Sequence, residues 1–71
     1  MKEFKLREED EFIRLGQLLK ACGMVDSGVT AKIVIVDGEV KVNGEVETRR
    51  GKKLSGGEIV EFEGNQIKIC R

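Results

Sequence analysis

The chain has 71 residues, and its 13 Lys and Arg residues equal its 13 Asp and Glu residues, which gives a net charge of zero. A chain this short forms one small core with roughly 60% of its unfolded surface buried, so we expect one domain, residues 1–71, without a lidded enzyme pocket. The zero net charge excludes a uniformly basic nucleic-acid binder but not a basic patch, and the lack of His excludes a His-Cys zinc site and a His general base.

The N-terminal segment predicts a short edge strand followed by an acidic turn. Residues 2–7 alternate, with Phe4 and Leu6 on one side, which is typical of a strand with one buried face. Four acidic residues follow at Glu8–Glu11. We interpret this run as a solvated turn rather than a metal site, because calcium loops space their ligands around a Gly that is absent here.

A first helix of about two turns is predicted next. Its apolar residues Leu15, Leu18, Leu19 and Cys22 recur at helical spacing. Gly16 is expected to cap the N-terminus of this helix, and Gly23 to follow its C-terminus. Met24 and Val25 come directly after that end and should pack back onto the helix.

The segment after Asp26 carries conflicting signals. Ser27 is a suitable N-cap for a helix that begins near Val29, and Gly38 could end that helix. Ile33–Val36 is a β-branched run, however, and its propensity favours a buried strand. The residue pattern alone leaves both structures open.

The C-terminal half predicts three or four strands. Val40, Val42 and Val46 flank Asn43-Gly44, which is a strong signal for a two-residue hairpin turn. Further turns are expected at Ser55–Glu58 and at Gly64-Asn65, with strands at Ile59–Phe62 and Ile67–Ile69, and with Leu54 as a core anchor. A short strand, two helical segments and these strands predict a small α+β domain.

The two cysteines, Cys22 and Cys70, are too few for a disulfide framework. We expect Cys22 in the core, Cys70 at the surface, and both as reduced thiols, with one disulfide as the alternative. No apolar run approaches the ~18 residues of a membrane span, and the charged N-terminus has no signal-peptide character. These features predict a cytoplasmic protein.

The charges are unevenly distributed along the chain. Residues 1–12 carry three basic and five acidic groups, whereas Thr48–Lys53 has four basic residues among six and no acidic one. Like charges this close repel each other unless an anion or acidic neighbours compensate them. The run is therefore either a solvated loop or part of an anion-binding surface.

Residues 16–62 together resemble the RNA-binding domain named after small-subunit ribosomal protein S-four. The elements that carry the resemblance are two helical segments, a turn ending at Gly38, the hairpin Val40–Gly44, and Leu54–Val60. The residue pattern is especially similar to that of the small stand-alone bacterial members of the family, the YbcJ-like and RlbA-like proteins. The similarity extends over about residues 13–69.

The resemblance implies a fold of two short helices packed on a small, mostly antiparallel sheet, which is called the alpha-L motif. It predicts that residues 29–37 form the second helix. It also implies RNA contacts by the residues that fall on the family's basic positions and hairpin. These are Lys20, Lys32, Lys41, Asn43, Arg49, Arg50, Lys52 and Lys53. Gly28 departs from the family pattern, because many members carry an Arg there.

The resemblance implies binding of structured RNA, ribosomal RNA or a ribosomal particle. We expect a monomer without a cofactor, and no enzyme, because the sequence contains no candidate acid–base pair, phosphate loop or activated nucleophile. Because Trp and Tyr are absent, recognition should rest on shape and phosphates rather than on stacked bases. One alternative is a protein-interaction module that places the basic loop on an acidic partner. A β-grasp carrier is disfavoured, because such carriers need a C-terminal Gly-Gly and this sequence ends with Ile69–Arg71.

Overall fold

Two helices and seven strands make up the fold, and the computed structural model describes all residues, 1–71. In chain order the elements are β1 Lys2–Lys5, β2 Ile13–Arg14, α1 Leu15–Ala21, α2 Gly28–Val36, β3 Val40–Val42, β4 Glu45–Val46, β5 Lys53–Leu54, β6 Ile59–Phe62 and β7 Asn65–Cys70. Neither helix has the length and apolar character needed to cross a membrane.

Five strands form one sheet in the order β1-β7-β6-β3-β4. Only β1 and β7 pair in parallel, and the other neighbours are antiparallel. The predicted α+β architecture of two short helices on a mostly antiparallel sheet is confirmed. A second sheet, formed by the two-residue strands β2 and β5, was not predicted, because strands of that length have no recognisable alternation.

The sheet has one buried and one exposed face, as alternating strand side chains require. The buried face and the helices share a core of fourteen residues, all of them apolar, which includes the predicted anchor Leu54. Lys41, Glu61 and Lys68 point to the opposite face, where they reach solvent. We call this solvent-facing side of the sheet the outer face.

Helix α1 begins one residue before the predicted N-cap. Arg14 holds the N-cap position, and Gly16 lies within the first turn, so the prediction of Gly16 as the cap is wrong. The reason is that β2 leads directly into the helix, and the Gln17 side chain accepts a hydrogen bond from the Arg14 backbone N–H at 3.2 Å. Gly23 follows the C-terminus with a φ of +73°, as predicted.

The segment after Asp26, for which the residue pattern left helix and strand open, forms helix α2. Ser27 is its N-cap, and the Ser27 hydroxyl accepts a hydrogen bond from the Thr30 backbone N–H at 3.2 Å. The inward side of the helix buries Ala31 and Ile35, while the outward side exposes apolar residues. Its β-branched residues are therefore held in a helix by the cap and by packing, against their local propensity.

The predicted turns are largely confirmed. Asn43 and Gly44 both have positive φ and join β3 to β4 as a two-residue hairpin. The last turn lies at Glu63-Gly64 rather than at Gly64-Asn65, because Asn65 already pairs with Phe62 at the start of β7.

The acidic segment Glu8–Glu11 forms a turn beside the C-terminus. The Arg7 guanidinium binds the Asp10 carboxylate at 3.0 Å, and this bond holds the pKa of Asp10 below its ordinary value. The Arg71 guanidinium donates to the carbonyl oxygens of Asp10, Glu11 and Ser55 at 2.7–3.0 Å. The turn is thus fixed by backbone contacts as well as by its own ion pair.

Both cysteines are free thiols. Cys22 packs against the core, and its thiol donates to the Leu18 carbonyl oxygen at 2.7 Å. Burial raises the pKa of the Cys22 thiol. Cys70 is only half-buried at the end of β7.

Candidate nucleic-acid interface

Helix α1, the start of α2 and the basic loop, residues Thr48–Lys53, surround an open depression of about 400 Å³. Three of its lining residues are cations, Arg14, Lys20 and Arg50, and none is acidic or apolar. The remaining wall consists of Gly16, Gln17, Gly28 and Gly51. We call this depression the helix cleft.

Backbone hydrogen bonds hold the basic loop against α1. The N–H of Leu15 donates to the Lys52 carbonyl oxygen, and the N–H of Gly16 donates to the Arg50 carbonyl oxygen, each at 2.9 Å. These two N–H groups belong to the first turn of the helix and would otherwise have no partner. A Cβ on Gly16 would lie 3.5 Å from the Arg50 backbone oxygen, so the loop comes close to the helix here.

A second depression of about 490 Å³ lies beside the helix cleft and shares Gly51 with it. Its other lining residues are Arg49, Lys52 and Lys53, so it too is without an acidic residue. We call this depression the loop shelf. Of the predicted site residues, Lys20, Arg49, Arg50, Lys52 and Lys53 thus belong to two adjoining concavities.

Arg14 belongs to this site but was not predicted. It lines the helix cleft, and its guanidinium donates to the Gly51 carbonyl oxygen at 3.1 Å. The pairing of β2 with β5 places Arg14 opposite Lys53, a residue of the basic loop that lies 39 positions further along the chain. Arg14 is therefore next to the basic loop in the fold. The one signal in the sequence was its place at the start of a predicted helix that also carries Lys20.

Most of these cations have no acidic partner. The three ion pairs within 4.0 Å in the whole chain are Arg7 with Glu9, Arg7 with Asp10, and Arg49 with Glu47. Arg14, Lys20, Arg50, Lys52 and Lys53 therefore form no ion pair, although Lys52 lies close enough to Glu47 and Glu58 to help lower the pKa of both carboxyl groups. An anion placed in the helix cleft or on the loop shelf would relieve their mutual repulsion.

Arg49 differs from the other loop cations. Its guanidinium binds the Glu47 carboxylate at 3.0 Å, and its backbone N–H donates to the same carboxylate at 3.0 Å. The hydrogen bond from Arg49 holds the pKa of Glu47 below its ordinary value. Arg49 therefore lines the loop shelf with a charge that is already paired.

The N-terminus of α2 opens into the helix cleft at Gly28. Nothing lies within 4 Å of the position that a Cβ on Gly28 would take, so the cleft is open at this position. Unpaired N–H groups in the first turn of a helix favour an anion. Lys32 follows Gly28 by one helical turn and is exposed.

Lys41 and Asn43 lie apart from these concavities. Lys41 is on the outer face of the sheet, paired across strands with Glu61 and near Glu39 and Glu63. The Asn43 side-chain oxygen accepts a hydrogen bond from the Ile59 N–H at 3.0 Å, which ties the hairpin to β6. The structure therefore gives Asn43 a structural role and surrounds Lys41 with acidic residues.

Comparison with known proteins identifies relatives over nearly the whole chain. The S4 domain family matches residues 4–70. The chain is 44% identical to the Escherichia coli (strain K12) protein named "Putative RNA-binding protein YbcJ" over 57 residues, which is 80% of this chain and 81% of that one. It is 46% identical to the Bacillus subtilis (strain 168) protein named "Probable ribosome maturation protein RlbA" over 56 residues, which is 79% of each chain.

The fold has a matching solved structure. The solution structure of YbcJ from E. coli, described as revealing an alfaL motif involved in RNA-binding, matches with a TM-score of 0.73 at 39% identity. The match covers 100% of this chain and 89% of that chain.

Proposed function

This chain belongs to the S4 domain family, and we propose that it binds structured RNA through the helix cleft and the loop shelf. The observation that carries the proposal is the group of unpaired cations around these two concavities, which contain no acidic residue. We call this group the basic face, and it consists of Arg14, Lys20, Arg50, Lys52 and Lys53. Lys32 borders the basic face, and Arg49 joins it when its pair with Glu47 opens.

Recognition on the basic face is by phosphate and shape. Each Arg can hold two phosphate oxygens at once through its guanidinium fork, and each Lys acts as a mobile point charge. The open N-terminus of α2 adds N–H donors and a positive dipole end beside the helix cleft. The sole aromatic side chain at this face, Phe12, lies beneath two cations, so stacked bases contribute little.

The names of the relatives support a ribosomal target. One relative is named as an RNA-binding protein and another as a ribosome maturation protein. We infer that this chain binds ribosomal RNA or a ribosomal particle during maturation or translation. It does so as a monomer in the cytoplasm, with residues 1–71 as one binding unit and with no catalytic step.

The dependence of affinity on salt tests the proposal. Neutralising about six phosphates should lower the affinity for a structured RNA by about three orders of magnitude between 50 and 200 mM salt. The measurement is a fluorescence titration of a labelled ribosomal RNA hairpin at several salt concentrations. An affinity that does not change with salt would contradict phosphate binding.

The identity of the RNA requires a measurement in cells. Crosslinking followed by sequencing of the attached RNA should recover ribosomal RNA, including its precursors. A parallel capture of the protein with and without ribonuclease addresses the alternative of a protein-interaction module. Ribosomal proteins that are lost after ribonuclease treatment support an RNA target, whereas an acidic protein partner that survives it would contradict the proposal.

A further inference from the structure

Phe12 is the one aromatic residue at the basic face. Phe62 is buried in the core and Phe4 packs against the core from β1, whereas Phe12 is half-buried just before β2. The Arg14 guanidinium carbon lies 5.3 Å from the centroid of the Phe12 ring, and the Lys53 ammonium nitrogen lies 4.9 Å from it. One ring thus contacts two unpaired cations.

The two cations belong to different concavities. Arg14 lines the helix cleft, while Lys53 lines the loop shelf. They come together because β2 and β5 pair in antiparallel register with Arg14 opposite Lys53. Directly opposed like charges destabilise a strand pair, so this register needs compensation, which the negative face of an aromatic ring supplies.

We propose, building on the proposed RNA binding, that Phe12 is a positioning residue that sets the spacing between the phosphate contacts of the helix cleft and those of the loop shelf. The ring holds Arg14 and Lys53 through cation–π attraction, and Gly51 fixes the far side of Arg14 through its carbonyl oxygen. Two long side chains held in advance lose less conformational freedom when RNA binds.

A fixed spacing matters most for RNA whose own phosphates are fixed. A double-helical hairpin presents its backbone at set distances, whereas an unpaired strand can adjust to scattered cations. Phe12 therefore confers a preference for structured over unpaired RNA, without adding any charge of its own.

The test is the charge-neutral substitution Phe12→Leu. Affinities are measured from 50 to 200 mM salt for a ribosomal RNA hairpin and for an unpaired oligouridine of the same length. We expect hairpin binding to weaken about fivefold, and the slope of log affinity against log salt to become shallower by about 1, while oligouridine binding stays unchanged. A change of salt slope without a change of charge is an effect that loss of packing alone does not produce.

Two further variants complete the design. Phe12→Tyr keeps the ring and should restore both the salt slope and the preference for the hairpin. Phe4→Leu removes a half-buried ring from the edge strand β1, a ring that makes no cation–π contact, and should lower the melting temperature without changing the salt slope. The proposal is overturned if Phe12→Leu keeps the wild-type slope and preference, if Phe12→Tyr fails to restore them, or if Phe4→Leu has the same effect.

The proposal stays testable if Phe12→Leu does not fold. Ring currents in the wild-type protein should shift the Arg14 δ protons and the Lys53 ε protons upfield in its NMR spectrum, and their absence would contradict the contacts. A wild-type protein that binds no RNA would instead overturn the proposed function. Wild-type binding with an unaffected Phe12→Leu variant would overturn the role of Phe12 alone.

Discussion

At the residue scale, the contribution of a cationic side chain to RNA binding depends on whether a carboxylate of the protein already pairs with it. Arg49 and Arg50 are neighbours with the same side chain, yet Arg49 binds Glu47 while Arg50 lines the helix cleft without an acidic partner. The sequence predicted the basic loop as a group but not this difference. The orientation of each side chain depends on how the loop packs against α1, and this packing cannot be predicted from a run of basic residues in the sequence.

Substituting Arg14 tests the contribution of the residue that sequence reasoning missed. Arg14→Gln should weaken binding of an RNA hairpin and make its salt slope shallower by about 1, because one phosphate contact is lost. Arg7→Gln is the matched control, since Arg7 is paired with Asp10 outside the basic face. Equal effects of both substitutions in a salt-dependent titration would mean that net charge alone governs binding.

Substituting Glu47 should strengthen binding. Glu47→Gln removes the carboxylate that pairs with Arg49, which frees one guanidinium on the loop shelf. We expect tighter binding of the hairpin and a salt slope steeper by about 1. The same substitution in an Arg49→Gln background should have a clearly smaller effect, and an equal gain in both backgrounds would contradict the release of Arg49.

At the element scale, the fold was predicted wherever a turn or cap residue has a strict geometric role. Ser27, Gly23 and the Asn43-Gly44 hairpin all stand where the sequence indicated them. Helix α2 was different, because Ile33–Val36 has strand propensity and only the family resemblance favoured a helix. Tertiary packing of Ala31 and Ile35 outweighs that propensity, and a local pattern does not contain such long-range packing.

Substitution of Asn43 tests whether this hairpin residue stabilises the fold or contacts RNA. Asn43→Ala should lower the free energy of unfolding by about 1–2 kcal/mol, because it strains a positive φ and leaves the Ile59 N–H without its side-chain acceptor. Asn43→Gly removes the hydrogen bond but relieves the strain, so it should cost less. Urea unfolding measures both, and a loss of RNA affinity by folded Asn43→Ala would assign Asn43 to the interface.

At the scale of the whole molecule, the zero net charge describes a polarised surface. Acidic residues collect in the Glu8–Glu11 turn and around Lys41 on the outer face, whereas neither concavity of the basic face is lined by an acidic residue. The sequence predicted the α+β class and much of the basic loop, and the family match confirms the resemblance. It did not predict the pairing of β2 with β5, which joins Arg14, Lys53 and Phe12 across the fold.

Stability should fall in acid because carboxylates have lowered pKa values in the fold. Burial alone would raise the pKa of Glu58, but hydrogen bonds from the Ser55 and Gly56 N–H groups bring it below the ordinary value, and contacts with Arg7 and Arg49 lower the pKa of Asp10 and Glu47. Such groups stabilise the fold above their unfolded pKa, and this contribution is lost as pH falls through the folded value.

Urea unfolding at pH 7 and pH 3 should therefore give a lower free energy of unfolding at pH 3. Glu58→Gln should cost about 1 kcal/mol at pH 7 after allowance for solvent screening, and should reduce the difference between the two pH values. A stability that is equal at both pH values would contradict the role of these carboxylates.

The most direct test of RNA binding by the basic face compares two double variants with the same change of net charge. Lys20→Gln with Arg50→Gln removes two cations from the helix cleft, whereas Lys41→Gln with Lys68→Gln removes two from the outer face. We predict a loss of hairpin affinity of at least about tenfold at 100 mM salt for the first pair and near wild-type affinity for the second. Equal losses, or a greater loss for the outer-face pair, would contradict the account.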